Sequence, residues 1–265
     1  YERQIPEIAE TKIKGLKKLR LGTEMVFGNG ELKVVLIRRH ENKAILKLKY
    51  DGNLDNVLNR IGKMPLPPYI RRKANEDNGF SDQDKEKYQT IFASHPGAIA
   101  APTAGLHFTP RIIESLSKKG IETASLTLHV GIGTFQPIRT ETITEHKMQP
   151  EQFYIPEETS KALIKARKDL KKIVGVGSTV SRVLESVELN RLKPCGSSGW
   201  TDRFIYPGSE FKVVDHLLTN FHLPKSTLYL LVCAFAGKKL IMEAYEEAIL
   251  KKYRFFSYGD AMLII

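Results

Sequence analysis

Residues 172–189 read KIVGVGSTVSRVLESVEL. Lys172–Val176 is a short apolar run of strand character. Gly177-Ser-Thr breaks it, and a helix follows to about Leu189. A strand that feeds a glycine turn and then a helix is the repeating unit of an α/β protein. Outward from this unit the pattern continues. Pro156 begins a helix that runs to about Leu170, and Glu122–Val130 reads as a strand rich in Thr and Leu. Thr109 and Pro110 have the form of an N-cap and first helical residue, with Gly120 closing that helix. Asp82–Ala93, Ser226–Ala236 and Lys239–Tyr253 are read as further helices. The predicted fold class is therefore a mixed α/β body.

The beginning of the chain differs. Glu24–Phe27, the turn Gly28-Asn-Gly, and Leu32–Arg39 form a predicted hairpin. Ala44–Tyr50 alternates apolar residues with Lys, as a half-buried strand does. Three such antiparallel strands with a polar face predict a small antiparallel sheet or β-barrel. Met64–Arg72, MPLPPYIRR, is a proline-rich connector, since proline fixes φ and removes donors. The expected organisation is residues 1–12 with 65–265 as the α/β catalytic domain, and 13–64 as the barrel.

Composition narrows the partners. Among 265 residues, 41 Lys and Arg oppose 30 Asp and Glu, a formal net charge of +11. A surplus of that size favours a polyanion, because neutralised phosphates release counterions. A generally basic enzyme has the same composition. Cys195 and Cys233 lie far apart and give neither a disulfide framework nor a zinc pattern. Leu228–Ala236 is the most apolar run and is too short for a membrane span of about 20 residues. No signal peptide is evident. A cytoplasmic protein without membrane attachment is expected.

Histidine, glycine and hydroxyl residues gather in a few blocks. In GVGST, unpaired N–H groups at the helix start suit an anion, and Arg182 can add a cation. A plain strand-to-helix connection has the same sequence. In His129-Val-Gly-Ile-Gly-Thr-Phe, Gly131 and Gly133 allow close backbone approach. Phe135 can stack on a base, and His129 can transfer protons near neutral pH. Asn220, His222, Lys225 and Ser226 cluster around Pro224, where a helix start can hold a carboxylate or phosphate. A simple Ser N-cap explains the last position equally well. His107, His129, His146 and His222 offer no close ligand pair, so no metal is expected. Neither a Gly-x-Ser-x-Gly elbow nor a Gly-x-Gly-x-x-Gly fingerprint is present.

Several long blocks occur in order: AAPTAGLHFT, LHVGIGTF, EHKM, GWTDRFIYPG, LLTNFHLPKSTL and YRFFSYGDAMLI. In them the chain resembles the S-adenosylmethionine:tRNA ribosyltransferase-isomerase family of queuosine biosynthesis, from roughly Met64 to the C-terminus. The resemblance implies that the ribosyl part of S-adenosylmethionine is moved onto 7-aminomethyl-7-deazaguanine in the wobble position of tRNA. Isomerisation to epoxyqueuosine then releases adenine and methionine. It also implies an α/β body with a small β-barrel, a monomer, and no cofactor or metal, S-adenosylmethionine being a substrate.

Residue chemistry suggests roles within that reaction. The sulfonium acidifies the neighbouring ribose carbon, so a positioned base is needed, and His129 and His107 are candidates. Asp202 and His222 are candidates to assist adenine departure. Lys225 with Ser226, or Arg182, can hold the methionine carboxylate. Thr103, Gly131, Gly133, Thr134, Phe135, Lys147, Thr179, Trp200 and Asn220 complete the expected substrate-binding set. Arg71, Arg72 and Lys73 are candidates for RNA contact, although a solvated loop has the same composition.

Two departures from the family stand out. Gly177-Ser-Thr-Val-Ser-Arg182 replaces the family's Gly-Thr-Thr-Ser-Val-Arg. Tyr1–Glu10 is similar to the family's opening, while the stretch from Ile13 resembles a segment much further along. An Asn-Asp-Thr-Arg-Val-Ile-Pro-Ala-Arg stretch between them is absent, so a segment is expected to be missing near Lys12–Ile13. Rival readings are a non-catalytic RNA-binding module, which leaves the His- and Gly-rich blocks unexplained, and a zinc-dependent nucleoside hydrolase.

Overall fold

The structure is a computed structural model that describes residues 8–40, 43–67, 69–70, 84, 86–131, 138, 140–187 and 192–265. The chain divides into two compact units, 1–64 and 65–265.

In the first unit, β1 (Ile8–Thr11), β2 (Glu24–Phe27), β3 (Leu32–His40) and β4 (Lys43–Tyr50) form one antiparallel sheet in the order β1-β4-β3-β2. Alternation sets its faces. Leu32, Val34 and Leu36 of β3 and Ala44, Leu46 and Leu48 of β4 turn one way, onto Val57 of α1 (Leu54–Ile61). Burying each such side chain contributes about 1.5–3 kcal/mol. The Asn53 side chain caps α1 by accepting from the Asn56 N–H at 3.2 Å. Two expectations change here. β1 lies within residues 1–12, yet it pairs with β4 and so joins the small sheet. Among the described residues the sheet is also open, with β1 and β2 at its edges. No β1–β2 pairing closes it into the expected barrel among the described residues.

The second unit carries two three-stranded sheets. One is mixed, in the order β10-β9-β7, from Ala261–Ile264, His216–Asn220 and Val174–Val176. β7 runs parallel to β9, and β10 antiparallel to it. The other sheet is antiparallel, β5-β6-β8, from Thr127–Leu128, Glu151–Ile155 and Ser197–Thr201. Among the described residues the unit also carries helices α2 (Pro110–Lys118), α3 (Glu157–Lys168), α4 (Ser178–Ser186), α5 (Thr227–Ala236) and α6 (Lys238–Leu250). One core joins α5 and α6 to β9 through Leu217, Leu231, Val232 and Ile241. Another joins α3 and α4 to β6 through Ile155, Leu163 and Val183.

Local signals held where they were chemical. Thr109 accepts from the Ile112 N–H at 3.3 Å, with Pro110 as the first helical residue and Gly120 at φ +72 beyond the end. The strand expected over Glu122–Val130 shrinks to Thr127–Leu128, which pair with Tyr154 and Phe153 of β6. The helix expected over Asp82–Ala93 stops early. The chain turns at Thr90, whose hydroxyl accepts from the Phe92 N–H and offers the backbone an alternative to helix. Among the described residues no helix is long and apolar enough to cross a membrane.

Candidate functional site

Parallel strands leave unpaired backbone groups at their carboxyl ends, where open α/β sheets bind ligands. A cavity of about 400 Å³ opens there, beyond β7 and β9. Gly177 ends β7 with φ +95 and donates its N–H to the Leu218 carbonyl at 2.8 Å. That φ favours glycine. Ser178 and Thr179 then start α4 on the cavity wall, and no side chain caps the helix. Its first N–H groups are left for a ligand.

A relay spans the same wall. The Thr103 hydroxyl donates to Asn220 Oδ1 at 3.0 Å, and the Asn220 Nδ2 amide lies 3.0 Å from His107 Nε2. With Oδ1 committed to Thr103, Nδ2 donates, so Nε2 must accept and the imidazole carries its proton on Nδ1. Burial lowers the His107 pKa, Asp260 opposes that shift, and Arg254 adds to it. Asn220 is 2% exposed. His107 is therefore a neutral imidazole with one lone pair engaged.

His222 lines the same cavity as Asn220. Its Nε2 lies 2.8 Å from the Thr219 hydroxyl, and its backbone N–H donates to the Tyr245 hydroxyl at 2.8 Å. Burial pushes its pKa down to about 4, so it is neutral at pH 7. Lys225 follows with φ +61, a left-handed conformation that costs a non-glycine residue roughly 1–2 kcal/mol. Its ammonium has no ion-pair partner among the described residues. Ser226 caps α5 by accepting from the Tyr229 N–H at 3.1 Å. Across the cavity, the Tyr69 and Phe256 rings sit 4.9 Å apart.

A second cavity, of about 310 Å³, is lined by Gly97, His129, Gly131, Glu151, Gln152 and Trp200 among others. The chain turns at His129, where the Val130 N–H donates to the Leu128 carbonyl at 3.1 Å, and Val130 lines the first cavity while His129 and Gly131 line the second. Glu151 holds this segment. One of its oxygens accepts the Gly131 N–H at 2.8 Å, and the other meets Arg182 Nη1 at 2.8 Å. His129 Nδ1 is buried with no hydrogen-bond partner among the described residues.

The expected residues thus fall into groups. Thr103, Thr179, Asn220, His222, Lys225 and Ser226 line the first cavity, and His107 joins through Asn220. His129, Gly131 and Trp200 line the second. Arg182 lines neither cavity; it is 3% exposed, its Nη1 pairs with Glu151, and its Nη2 has no hydrogen-bond partner among the described residues. Asp202 and Lys147 are exposed and line neither cavity. Gly133, Thr134, Phe135, Arg71, Arg72 and Lys73 lie outside the described residues. Sequence reasoning missed Glu151. The available signal was an acid in the buried register of EQFYI, whose other inward residues are Phe153 and Ile155. No group of three His, Cys, Asp or Glu side chains among the described residues is placed to hold a metal.

Residues 2–264 match the family model described as queuosine biosynthesis protein. A protein of Caldanaerobacter subterraneus subsp. tengcongensis, named S-adenosylmethionine:tRNA ribosyltransferase-isomerase, is 49% identical over 259 residues, covering 97% of this chain and 73% of its own length. One of the same name from Natranaerobius thermophilus is 49% identical over 256 residues, covering 96% of this chain and 72% of its own length. The crystal structure of S-adenosylmethionine tRNA ribosyltransferase from Thermotoga maritima is 37% identical. Its match covers 100% of this chain and 73% of that one, with a TM-score of 0.51.

Proposed function

The chain belongs to the queuosine biosynthesis protein family, and from that premise we propose that it is the transferase-isomerase that moves the ribosyl moiety of S-adenosylmethionine onto tRNA. The full reading is transfer and isomerisation of the ribosyl moiety onto 7-aminomethyl-7-deazaguanine at the wobble position. The product is epoxyqueuosine tRNA, and adenine and methionine leave.

The first cavity takes S-adenosylmethionine. Its volume is in the range of small-molecule pockets, about 300–1,000 Å³. The open N-terminus of α4 and the Lys225 ammonium offer positive charge to the methionine carboxylate. The Tyr69 and Phe256 rings offer π faces to the sulfonium. His107 is the base. A sulfonium acidifies the adjacent ribose C–H, and a neutral imidazole can accept that proton once Asn220 turns its amide toward the ligand. His222, neutral at pH 7, assists adenine departure as a hydrogen-bond donor rather than as an imidazolium.

The observation that carries this reading is the Thr103–Asn220–His107 relay, whose Thr103 and Asn220 line one cavity with His222 and Lys225 while His107 stands behind Asn220. The test is incubation with S-adenosylmethionine and tRNA bearing the aminomethyl base, followed by nucleoside mass analysis and an adenine assay. The expected result is epoxyqueuosine in the RNA and adenine release that depends on the modified tRNA. Absence of both rejects the reading.

A further inference from the structure

The antiparallel sheet of the second unit has an outward face. On β6, Glu151, Phe153 and Ile155 are buried, while Gln152 and Tyr154 are exposed. On β8, Ser198 and Trp200 are exposed. Register aligns these outward residues. Gln152 pairs with Trp200, and Tyr154 pairs with Ser198 and Thr127. The His129 N–H donates to the Gln152 carbonyl at 2.9 Å, which continues the β5 register by one residue. His129, Gln152 and Trp200 therefore form one row across three strands, and all three line the second cavity. Tyr154 stands diagonally from Trp200, the spacing at which large side chains share a face.

Trp200 is 67% exposed and Tyr154 49%. In a chain of net charge +11, an open aromatic sheet face suits the bases of an unpaired RNA strand. Its position favours the same occupant. The His129–Gly131 segment separates it from the first cavity, so a base held here lies across one stretch of backbone from the S-adenosylmethionine site. We propose that the His129–Gln152–Trp200 row is the seat of the acceptor base of the tRNA. Trp200 stacks on the base, Gln152 and His129 hydrogen-bond its edge, and Tyr154 supports a neighbouring nucleotide. This rests on the tRNA reading above and adds where the RNA base sits.

Trp200 is the single tryptophan of the chain, so its fluorescence reports this site alone. Titration with modified tRNA is expected to quench it saturably, and S-adenosylmethionine alone to leave it unchanged. In steady-state assays, Trp200→Ala is expected to raise KM for tRNA by roughly tenfold or more, from the loss of one base–aromatic stack. KM for S-adenosylmethionine should stay at the wild-type value, and Trp200→Phe should recover most of the loss. An active wild-type enzyme whose tryptophan ignores tRNA, or a Trp200→Ala variant with unchanged KM for tRNA, overturns the seat and leaves the activity standing. A wild-type enzyme that modifies no tRNA overturns the activity and the seat together. Quenching by an unrelated protein but not by RNA assigns the face to a protein partner and overturns the proposal.

Discussion

Glu151 and Arg182 meet at 2.8 Å with 4% and 3% of their side chains exposed, and the second Glu151 oxygen holds the Gly131 N–H. A strand of one sheet and a helix beside the other are thus tied through a single carboxylate, which also fixes the segment between the two cavities. Arg182 Nε adds a bond to the Arg203 carbonyl at 3.2 Å. Removing one member of a buried pair leaves the other charge uncompensated. Arg182→Met is expected to cost about 3–5 kcal/mol in urea unfolding. The double variant Arg182→Met with Glu151→Leu should cost less than Arg182→Met alone. A single-variant loss under about 1 kcal/mol would contradict this account.

The imidazole of His222 has a pKa of about 4 when folded, below the unfolded value of about 6.5. The unfolded chain therefore takes up the proton first as pH falls. Stability is full above about pH 6.5, declines toward pH 4, and then levels. His107, also lowered, contributes with the same sign. The His222 part is on the order of 3 kcal/mol at most, at about 1.4 kcal/mol per unit. Urea unfolding at pH 7.5 and 4.5 should show a smaller loss in His222→Gln than in wild type. An equal loss in both assigns the dependence to other groups.

Asn220→Asp is expected to reverse the state of His107. A carboxylate beside Nε2 favours the imidazolium and raises the pKa. Adenine release at pH 7 should fall by roughly two orders of magnitude, the lower end of the usual range for a lost base, and partly return at higher pH. A pH profile that matches wild type would remove the relay from the chemistry.

Lys225 separates charge from conformation. Lys225→Gly relieves φ +61 and should be at least as stable as wild type, by up to about 1 kcal/mol. Lys225→Ala keeps the strain. Both should raise KM for S-adenosylmethionine about tenfold through loss of one charge-assisted hydrogen bond. If KM moves only in the alanine variant, the backbone conformation and not the ammonium matters.

Gly97 faces His129 closely. A Cβ there would fall 2.7 Å from Nδ1, and the glycine has φ +138. Gly97→Ala should displace the imidazole and impair tRNA turnover with little change in KM for S-adenosylmethionine. Steady-state kinetics with each substrate varied would check this, and a fully active variant would remove His129 from the site.

The sequence by itself determined what is settled within a few residues. The β3–β4 alternation, the Thr109 and Ser226 caps, and the strand–Gly177–helix unit were legible because period, cap and turn chemistry are local. The helix over Leu54–Ile61 and the strands β6, β9 and β10 were not read, since each is short and β6 and β9 also mix buried polar with apolar residues. Only the tertiary structure decided the partners. Asn220 finds His107 across 113 positions, and Glu151 finds Arg182 across 31. It also separated His129 from His107, because the backbone turn at His129 places Val130 on one cavity and its neighbours on the other. Composition names the groups that do chemistry. Strand register and buried charge pairing decide which of them face the same space.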